Sequence, residues 1–317
     1  MPLPEGDWVG LDLGGTFLKG GRVSAEGRIL ERLHEPIAGG SAEALLNQLA
    51  AAVASLGGRR AGRNIGLGLP GIVDRRSGCV RNAPGVPALN GVSVADELGR
   101  RTGLRVRLEN DANAAGLAEA WVGSGRDVDG MLFVTLGTGI GAGLVLGGRV
   151  WAGHSGYAGE LGHVQVEPDG EPCGCGSRGC LETVAGARGW RRRAEQLLSR
   201  TPSLLAGRPL EPKTIVEAAR AGDALALDVV NGAARALGVG LAAALDLLNL
   251  ECVVIGGGVS AAGPFLLDRI VEETRCRTFP QVFADCSFRL AALGNDAGVL
   301  GAARVAMLAE RDDPPAS

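Results

Sequence analysis

Three features are missing from this 317-residue sequence, and each absence excludes a class of protein. The 32 basic residues are scattered and the net charge is −3, so no basic stripe is available for nucleic acid or anionic lipid. No apolar run approaches the roughly 18 residues that span a bilayer. The first residues show no charged segment followed by an apolar one, as a secretory signal requires. We therefore expect a cytoplasmic protein that binds neither nucleic acid nor membranes.

Cysteine is the residue type with the most informative arrangement. His163, Cys173, Cys175 and Cys180 lie within eighteen residues, separated mainly by Gly and Pro. Three thiolates and an imidazole match the tetrahedral preference of structural Zn²⁺, and the short gaps suit a compact knuckle. The alternatives are two disulfides or unrelated buried cysteines, although Cys173 and Cys175 are too close to bridge each other easily. We expect a closed zinc site that maintains local structure.

The remaining cysteines are expected to stay reduced and to lie in or near the core. They are Cys79, Cys252, Cys276 and Cys286.

Two similar runs of strands and helices follow one another along the chain. Each opens with short strands separated by glycine turns and continues with alternating helices and strands. With 46% hydrophobic and 21% charged residues, the composition is that of a globular protein. The repeated pattern suggests two related α/β domains that flank a cleft. We assign the first domain to residues 1–111, completed by a helix within 296–317. The second takes residues 112–295, with the zinc segment 163–180 as an insertion.

The elements follow from these patterns and from turn and cap residues. The predicted strands are 9–13, 17–23, 28–33, 64–69, 105–108, 130–136, 143–146, 149–151 and 251–255. The predicted helices are 41–56, 94–102, 111–122, 187–199, 212–221, 223–248, 264–275 and 296–310, and residues 312–317 are expected to fray.

Three glycine clusters each follow an apolar strand, at residues 12–16, 136–141 and 255–259. Glycine lets backbone N–H groups converge on an anion, and Thr16 and Thr138 add hydroxyl donors. Three tight turns are the alternative, but the repetition favours a nucleotide-phosphate clamp. The pattern G-x-x-x-x-G-K-[ST] is absent, so this is not a P-loop. The second cluster runs into another strand, which fits a dinucleotide fingerprint poorly.

The segment LENDANAA at 108–115 puts Asn110 and Asp111 where a strand ends and a helix begins. Asp at such a position is most often only an N-cap. Together with Glu160, His163 and Glu182, however, this pair supplies the carboxylates, amide and imidazole that bind vicinal hydroxyls. Both interpretations of Asp111 remain open on these residues alone.

These motifs resemble the ROK family of bacterial sugar kinases over residues 8–305. The matching segments are GLDLGGTFLKGG (10–21), GLGLPGIVD (66–74), LENDANAA (108–115), CGCGSRGCLE (173–182) and VVIGGG (253–258). The resemblance implies an α/β fold of two actin/hexokinase-like, that is ribonuclease H-like, domains. It also implies a role in carbohydrate metabolism and glycolysis, as an ATP-dependent kinase that phosphorylates the 6-hydroxyl of glucose or a related hexose.

The resemblance also implies the role of each residue. Asp111 is implied as the general base, and His163, Cys173, Cys175 and Cys180 as the Zn²⁺ ligands. The implied sugar ligands are Asn110, Asp111, Glu160, His163 and Glu182. Asp12 is implied near Mg²⁺, while Gly14, Gly15, Thr16, Thr138, Gly139 and Gly257 are implied on ATP. Lys19 lies in the first loop, where it neutralises phosphate or is a solvated strand lysine.

One departure leaves the substrate open. Gly85 stands where the family usually has an asparagine that helps to hold the sugar. An N-acetylmannosamine, other amino-sugar or fructose kinase is therefore an alternative, and polyphosphate is an alternative donor. A ROK-type sugar-binding regulator is disfavoured, because the first glycine loop begins within fifteen residues and Asp111 is present. A homodimer or higher homo-oligomer is expected.

Overall fold

The computed structural model describes residues 6–58 and 62–312. The chain divides into two compact units: residues 1–127, 143–158 and 293–317, and residues 128–142 and 159–292. This division differs from the predicted domain boundary after Asp111, because the helix that begins there packs within the first unit. The predicted frayed tail lies outside the described residues from 313 onwards.

The first unit is built on a five-stranded sheet with the order β3-β2-β1-β4-β7. Its first three strands form an antiparallel meander, and β4 and β7 run parallel to β1. The strands are β1 Asp7–Leu13, β2 Phe17–Ser24, β3 Ile29–Pro36, β4 Asn64–Leu69 and β7 Arg105–Asn110, and β5 Ile72–Asp74 pairs with β6 Cys79–Asn82 as a separate hairpin. The helices are α1 Ala42–Ser55, α2 Val94–Thr102, α3 Asp111–Val122 and α10 Ala297–Asp312.

Side chains on β1 alternate between two layers of the first unit, as the two-residue period of a strand requires. Val9, Leu11 and Leu13 are buried in the cluster that includes α1 and α2 residues. Trp8 belongs to the cluster of α10. On that second face, glycine permits a close approach: a Cβ on Gly66 of β4 would stand 1.7 Å from the carbonyl oxygen of α10 residue Ala302.

The second unit contains most of a second five-stranded sheet, with the order β10-β9-β8-β11-β12. Strands β8, β11 and β12 are parallel, and the chain passes from the second unit to the first within β9. The strands are β8 Gly130–Leu136, β9 Ile140–Leu146, β10 Arg149–Val150, β11 Cys252–Gly256 and β12 Ser287–Leu290. The helices are α4 Leu181–Ala185, α5 Ala187–Leu198, α6 Pro212–Arg220, α7 Ala224–Leu248, α8 Pro264–Arg275 and α9 Pro280–Ala284.

Helix α7 is long and apolar enough to cross a membrane by length and composition alone. More than half of its most apolar stretch is buried, however, and it packs against α4, α5, α6 and α8. It is the central helix of the second unit's core.

Most predicted elements are confirmed, five of them to the residue: 64–69, 94–102, 111–122, 130–136 and 264–275. The β5–β6 hairpin, α4, α9 and β12 were not predicted, because each is too short to show a period. The expectation for the cysteines outside the knuckle is wrong at Cys276, which is exposed at the end of α8; the other three are at least partly buried.

Candidate active site

The junction between β7 and α3 presents Asp111 without using it as the cap. Asn110 is the N-cap residue of α3, and its Oδ1 accepts hydrogen bonds from the backbone N–H groups of Ala112 and Asn113 at 2.9 and 3.1 Å. Its Nδ2 donates to the carbonyl of Gly71 at 3.0 Å. Asp111 is therefore the first helical residue, and its Oδ1 accepts from the N–H of Ala112 at 2.8 Å.

Asp111 is exposed as a residue, but protein atoms surround its carboxyl group. Desolvation by the surrounding protein, followed by the negative charge of Asp12, raises its pKa to about 6, while the hydrogen bond from Ala112 opposes the rise. A carboxylate of this kind is still ionised at neutral pH and is a better proton acceptor than an ordinary one.

Asp12 lies on β1 on the face that α10 covers. Lys19 Nζ is 3.8 Å from its Oδ2, so the predicted phosphate-neutralising lysine is paired with this carboxylate. Desolvation raises the pKa of Asp12, and the charge of Lys19 opposes this rise. The first turn of α10 adjoins the same carboxylate, since a Cβ on Gly298 would stand 2.5 Å from its Oδ2.

The first glycine loop joins β1 to β2 next to Asp12. Its turn is closed by a 3.0 Å hydrogen bond from the N–H of Gly14 to the carbonyl of Phe17, and Gly15 and Thr16 are exposed. Gly85 lies against this loop: a Cβ on Gly15 would stand 3.5 Å from the carbonyl oxygen of Gly85. The departure from the family pattern is thus located at the first glycine loop.

In the second unit the predicted metal ligands are close together. A ring nitrogen of His163 and the sulfurs of Cys173, Cys175 and Cys180 lie within 4.8 Å of one another. The Cys175 and Cys180 sulfurs are 3.7 Å apart, and Cys173 Sγ is 3.5 Å from His163 Nδ1. All of these cysteines are free, so the predicted alternative of two disulfides does not apply. The structure thus brings together four groups that could hold a metal ion.

Two carboxylates flank His163 in the second unit. Glu160 is exposed, and its Oε2 is 3.9 Å from Nε2 of His163. Glu182 Oε1 lies 3.7 Å from Nδ1 and accepts a hydrogen bond from Cys173 Sγ at 3.1 Å. The three predicted sugar ligands of this unit are therefore neighbours.

The second glycine loop contacts the helix that carries Glu182. The N–H of Ala187, just after α4, donates to the carbonyl of Gly137 at 3.0 Å. A Cβ on Gly139 would stand 2.5 Å from Glu182 Oε2. Thr138 between them is exposed.

In the third cluster, Gly257 follows β11 with a φ of +86°, a conformation that favours glycine.

Sequence reasoning missed Glu109, although it directly precedes Asn110. Its side chain is only 1% exposed, and its Oε2 is 3.1 Å from Nη2 of Arg75 in the β5–β6 hairpin. Burial raises the pKa of Glu109, and the charge of Arg75 opposes that rise. The available signal was a Glu near the end of a strand that also carries two buried apolar residues, Val106 and Leu108.

Comparison with known proteins identifies the family: the ROK family profile matches residues 8–309. The chain belongs to the ROK family. This ROK protein is 38% identical to a glucokinase from Thermotoga maritima over 310 residues, which cover 96% of this chain and 98% of the relative. Its structure is similar to that of a ROK hexokinase from Thermus thermophilus, with a TM-score of 0.87, 38% identity and coverage of 97% and 100%.

A second solved structure is a ROK family glucokinase from Streptomyces griseus in complex with glucose and AMPPNP. It has a TM-score of 0.79 and 37% identity, and the match covers 96% of this ROK protein and 100% of that chain. The predicted α/β fold of ROK sugar kinases is confirmed.

Proposed function

We propose that this protein is an ATP-dependent kinase that transfers a phosphoryl group to the 6-hydroxyl of glucose or a closely related hexose. The Thermotoga maritima glucokinase and the Streptomyces griseus complex with glucose and AMPPNP support this assignment. The observation that carries it is the β7–α3 junction. Asn110 caps α3, so the Asp111 carboxylate is not used as a cap, and the surrounding protein raises its pKa.

In the proposed reaction Asp111 accepts the proton of the sugar hydroxyl as that oxygen attacks the terminal phosphorus. The bond from that phosphorus to the bridging oxygen breaks, and ADP leaves. A pKa of about 6 places Asp111 close to the optimum for a general base at neutral pH. The carboxylate accepts a hydrogen bond from the N–H of Ala112, which fixes its orientation.

The residues around Asp12 suit the nucleotide side of the reaction. Asp12 offers the oxygen donor that Mg²⁺ prefers, and Gly14, Gly15 and Thr16 supply N–H and hydroxyl donors for phosphate. Mg²⁺, when bound with ATP, neutralises charge on the phosphates. We assign Thr138 and Gly139 to the phosphates as well, and Gly257 to the adenosine end. Polyphosphate remains the alternative donor.

We propose Zn²⁺ for the four-ligand site. A tetrahedral ion with Zn–S bonds of about 2.3 Å and a Zn–N bond of about 2.0 Å separates two sulfurs by about 3.8 Å, and a sulfur from the nitrogen by about 3.5 Å. The distances of 3.7 Å between Cys175 and Cys180 and 3.5 Å between Cys173 and His163 fit this geometry. The three-cysteine donor set also favours Zn²⁺ over harder cations.

We propose Glu160, Nε2 of His163 and Glu182 as ligands of the sugar hydroxyls, together with Asn110. The contribution of Asn110 is limited, because its Oδ1 accepts two backbone hydrogen bonds and one Nδ2 hydrogen goes to Gly71. Only its second Nδ2 hydrogen is left for the sugar. Gly85 favours one alternative function, an amino-sugar kinase, since it leaves space beside the first glycine loop.

A coupled assay of ADP release tests this proposal, with glucose, mannose, fructose, N-acetylmannosamine and N-acetylglucosamine as acceptors. We expect glucose to rank first or second in kcat/KM with ATP. A parallel series with polyphosphate, read out as glucose 6-phosphate, identifies the donor. The glucokinase assignment fails if glucose turnover stays at background, and the kinase assignment fails if no sugar is phosphorylated from either donor.

We further propose that the protein acts in the cytoplasm as a homo-oligomer. A substrate such as ATP and a site of reduced cysteines both suit that compartment. Closed symmetric homo-oligomers are the commonest assemblies of soluble proteins. Light scattering of the purified protein gives the oligomeric state.

A further inference from the structure

Glu109 is a buried carboxylate that the proposed reaction does not use. It is the last residue of β7 before the Asn110–Asp111 junction, and 1% of its side chain is exposed. A carboxylate in such a position is costly unless it is paired and hydrogen-bonded. Its contacts therefore indicate why the chain retains it.

The two oxygens of Glu109 have different partners. Oε1 accepts hydrogen bonds from the backbone N–H of Asn110 at 3.1 Å and from Nδ2 of Asn113 at 3.0 Å. Oε2 makes an ion pair with Nη2 of Arg75 at 3.1 Å, without hydrogen-bond geometry. Arg75 is about one third exposed, at the turn of the β5–β6 hairpin.

These contacts hold the residues on either side of Asp111 in the chain. Glu109 holds the residue before Asp111 through its N–H and the residue two positions after it through its amide. The N–H of Asn113 is itself held by Oδ1 of Asn110. The same hairpin region is joined to the junction a second time, through the bond from Asn110 to Gly71. A rotation of the Asp111 backbone would break several of these bonds together.

We propose that Glu109, paired with Arg75, is a positioning residue that holds Asp111 in its working orientation. This inference rests on the proposed function of Asp111 as general base. A side chain that must accept a proton from a bound hydroxyl needs a fixed position, and a displacement of about 1 Å can lower the rate about a hundredfold. Positioning of this kind affects the chemical step more than the affinity for either substrate.

The experiment compares Glu109→Gln, Arg75→Gln and the double variant with the wild type. In Glu109→Gln the amide NH₂ faces the guanidinium of Arg75, so two donors meet and the side chain must turn away. We expect kcat to fall by about tenfold or more, with KM for glucose and ATP changed less than about threefold. In the double variant the clash is absent and the Gln oxygen can accept both bonds, so we expect kcat to return to within about threefold of Arg75→Gln.

Glu119→Gln is the matched control. Glu119 is a second buried carboxylate of the same unit; it accepts from the N–H groups of Ser124 and Leu293 at 2.8 and 2.9 Å. Losing it should lower the melting temperature and leave kcat unchanged. If Glu109→Gln is unstable, Arg75→Gln alone still tests the idea, since we expect it to lower kcat by about threefold or more.

Three outcomes separate the inference from the proposed function. The inference is overturned if Glu109→Gln and Arg75→Gln behave as Glu119→Gln does, with lower melting temperatures and wild-type kcat, while Asp111→Asn is inactive. It is also overturned if KM rises in place of a fall in kcat. If the wild type phosphorylates no sugar, or Asp111→Asn stays active, the proposed function fails and the inference fails with it.

Discussion

The carboxylate of Glu182 lies against the backbone of Gly139. A Cβ on Gly139 would stand 2.5 Å from Oε2, while Oε1 is 3.1 Å from the sulfur of Cys173. One side chain therefore lies next to both the candidate metal site and the second glycine loop, so a displacement of Glu182 affects both.

Replacing Gly139 by alanine should displace either Glu182 or the loop. We expect kcat/KM for ATP to fall about tenfold or more, because donors preorganised for phosphate lose their alignment. Gly137→Ala in the same loop is the control: its Cβ would meet only the Gly139 carbonyl, at 4.0 Å. Equal losses in the two variants would argue against a specific role of the Glu182 contact.

Asp111→Asn should remove the general base while preserving the shape of the junction. We expect kcat to drop about a hundredfold or more, with sugar affinity nearly intact. Asp96→Asn, which changes an acid in the first turn of α2, controls for loss of charge at a helix N-terminus. A variant that keeps more than about a third of wild-type kcat would mean that Asp111 is not the base.

The pKa of Asp111 predicts how kcat/KM for glucose depends on pH. The base is active when ionised, so kcat/KM should be constant above its pKa and should fall as the pH drops through about 6. An acidic limb near the ordinary carboxyl value of 3.8 would contradict the raised pKa. The profile is to be measured at glucose concentrations well below KM, because kcat/KM reports the pKa values of the free enzyme.

The same pKa has an opposite consequence for stability. Because folding raises the pKa of Asp111 from 3.8 to about 6, its contribution to stability is full below pH 3.8 and is lost as the pH rises through about 6. Asp111→Asn, which cannot ionise, should therefore melt above the wild type at pH 7.5. The difference should vanish near pH 4, which differential scanning calorimetry can check.

Removing the metal should abolish activity, because the loop of the second unit that carries His163 loses its support. Purified protein should contain close to one equivalent of zinc, and Cys175→Ala should lose both the metal and the activity, since the loop with His163 loses its anchor. Cys276→Ala removes an exposed cysteine outside the cluster and serves as the control. Full activity in metal-free Cys175→Ala would refute the structural role of the site.

Gly85→Asn tests the substrate preference. A Cβ at this position would be 3.3 Å from Cγ of Pro70 and 3.5 Å from Cα of Gly15, so a side chain fits with a small shift of the proline ring. We expect kcat/KM for glucose to rise several-fold and that for the N-acetylated sugars to fall. A wild-type preference of about a hundredfold for an acetylated sugar would instead identify an amino-sugar kinase.

The sequence predicted the features that depend on short-range patterns. These are the strand-to-helix junction at Asp111 and the cluster of candidate metal ligands within 163–180, and the structure contains both. That Asn110 rather than Asp111 caps α3 was not predictable, because either side chain suits that role.

Contacts between distant parts of the chain were beyond the sequence. Nothing near Glu109 indicates Arg75 as its partner. The helix within 296–317 was assigned to the first domain, but nothing near Asp12 indicates that the first turn of this helix lies beside it at Gly298. Side-chain pairings of this kind depend on how neighbouring elements pack, and a single sequence without related sequences does not give them. Short elements such as α4 were missed for a different reason, since five residues are too few to display a helical period.

The close packing of Gly66 on Ala302 has a consequence for how this chain is made. A ribosome delivers β1 and β4 early and α10 only after the whole second unit has emerged. Until then the face that carries Trp8 and Asp12 lacks its α10 layer. That face, though its strands are encoded first, is therefore completed last, and any activity that needs Asp12 in place has to wait until synthesis is nearly over.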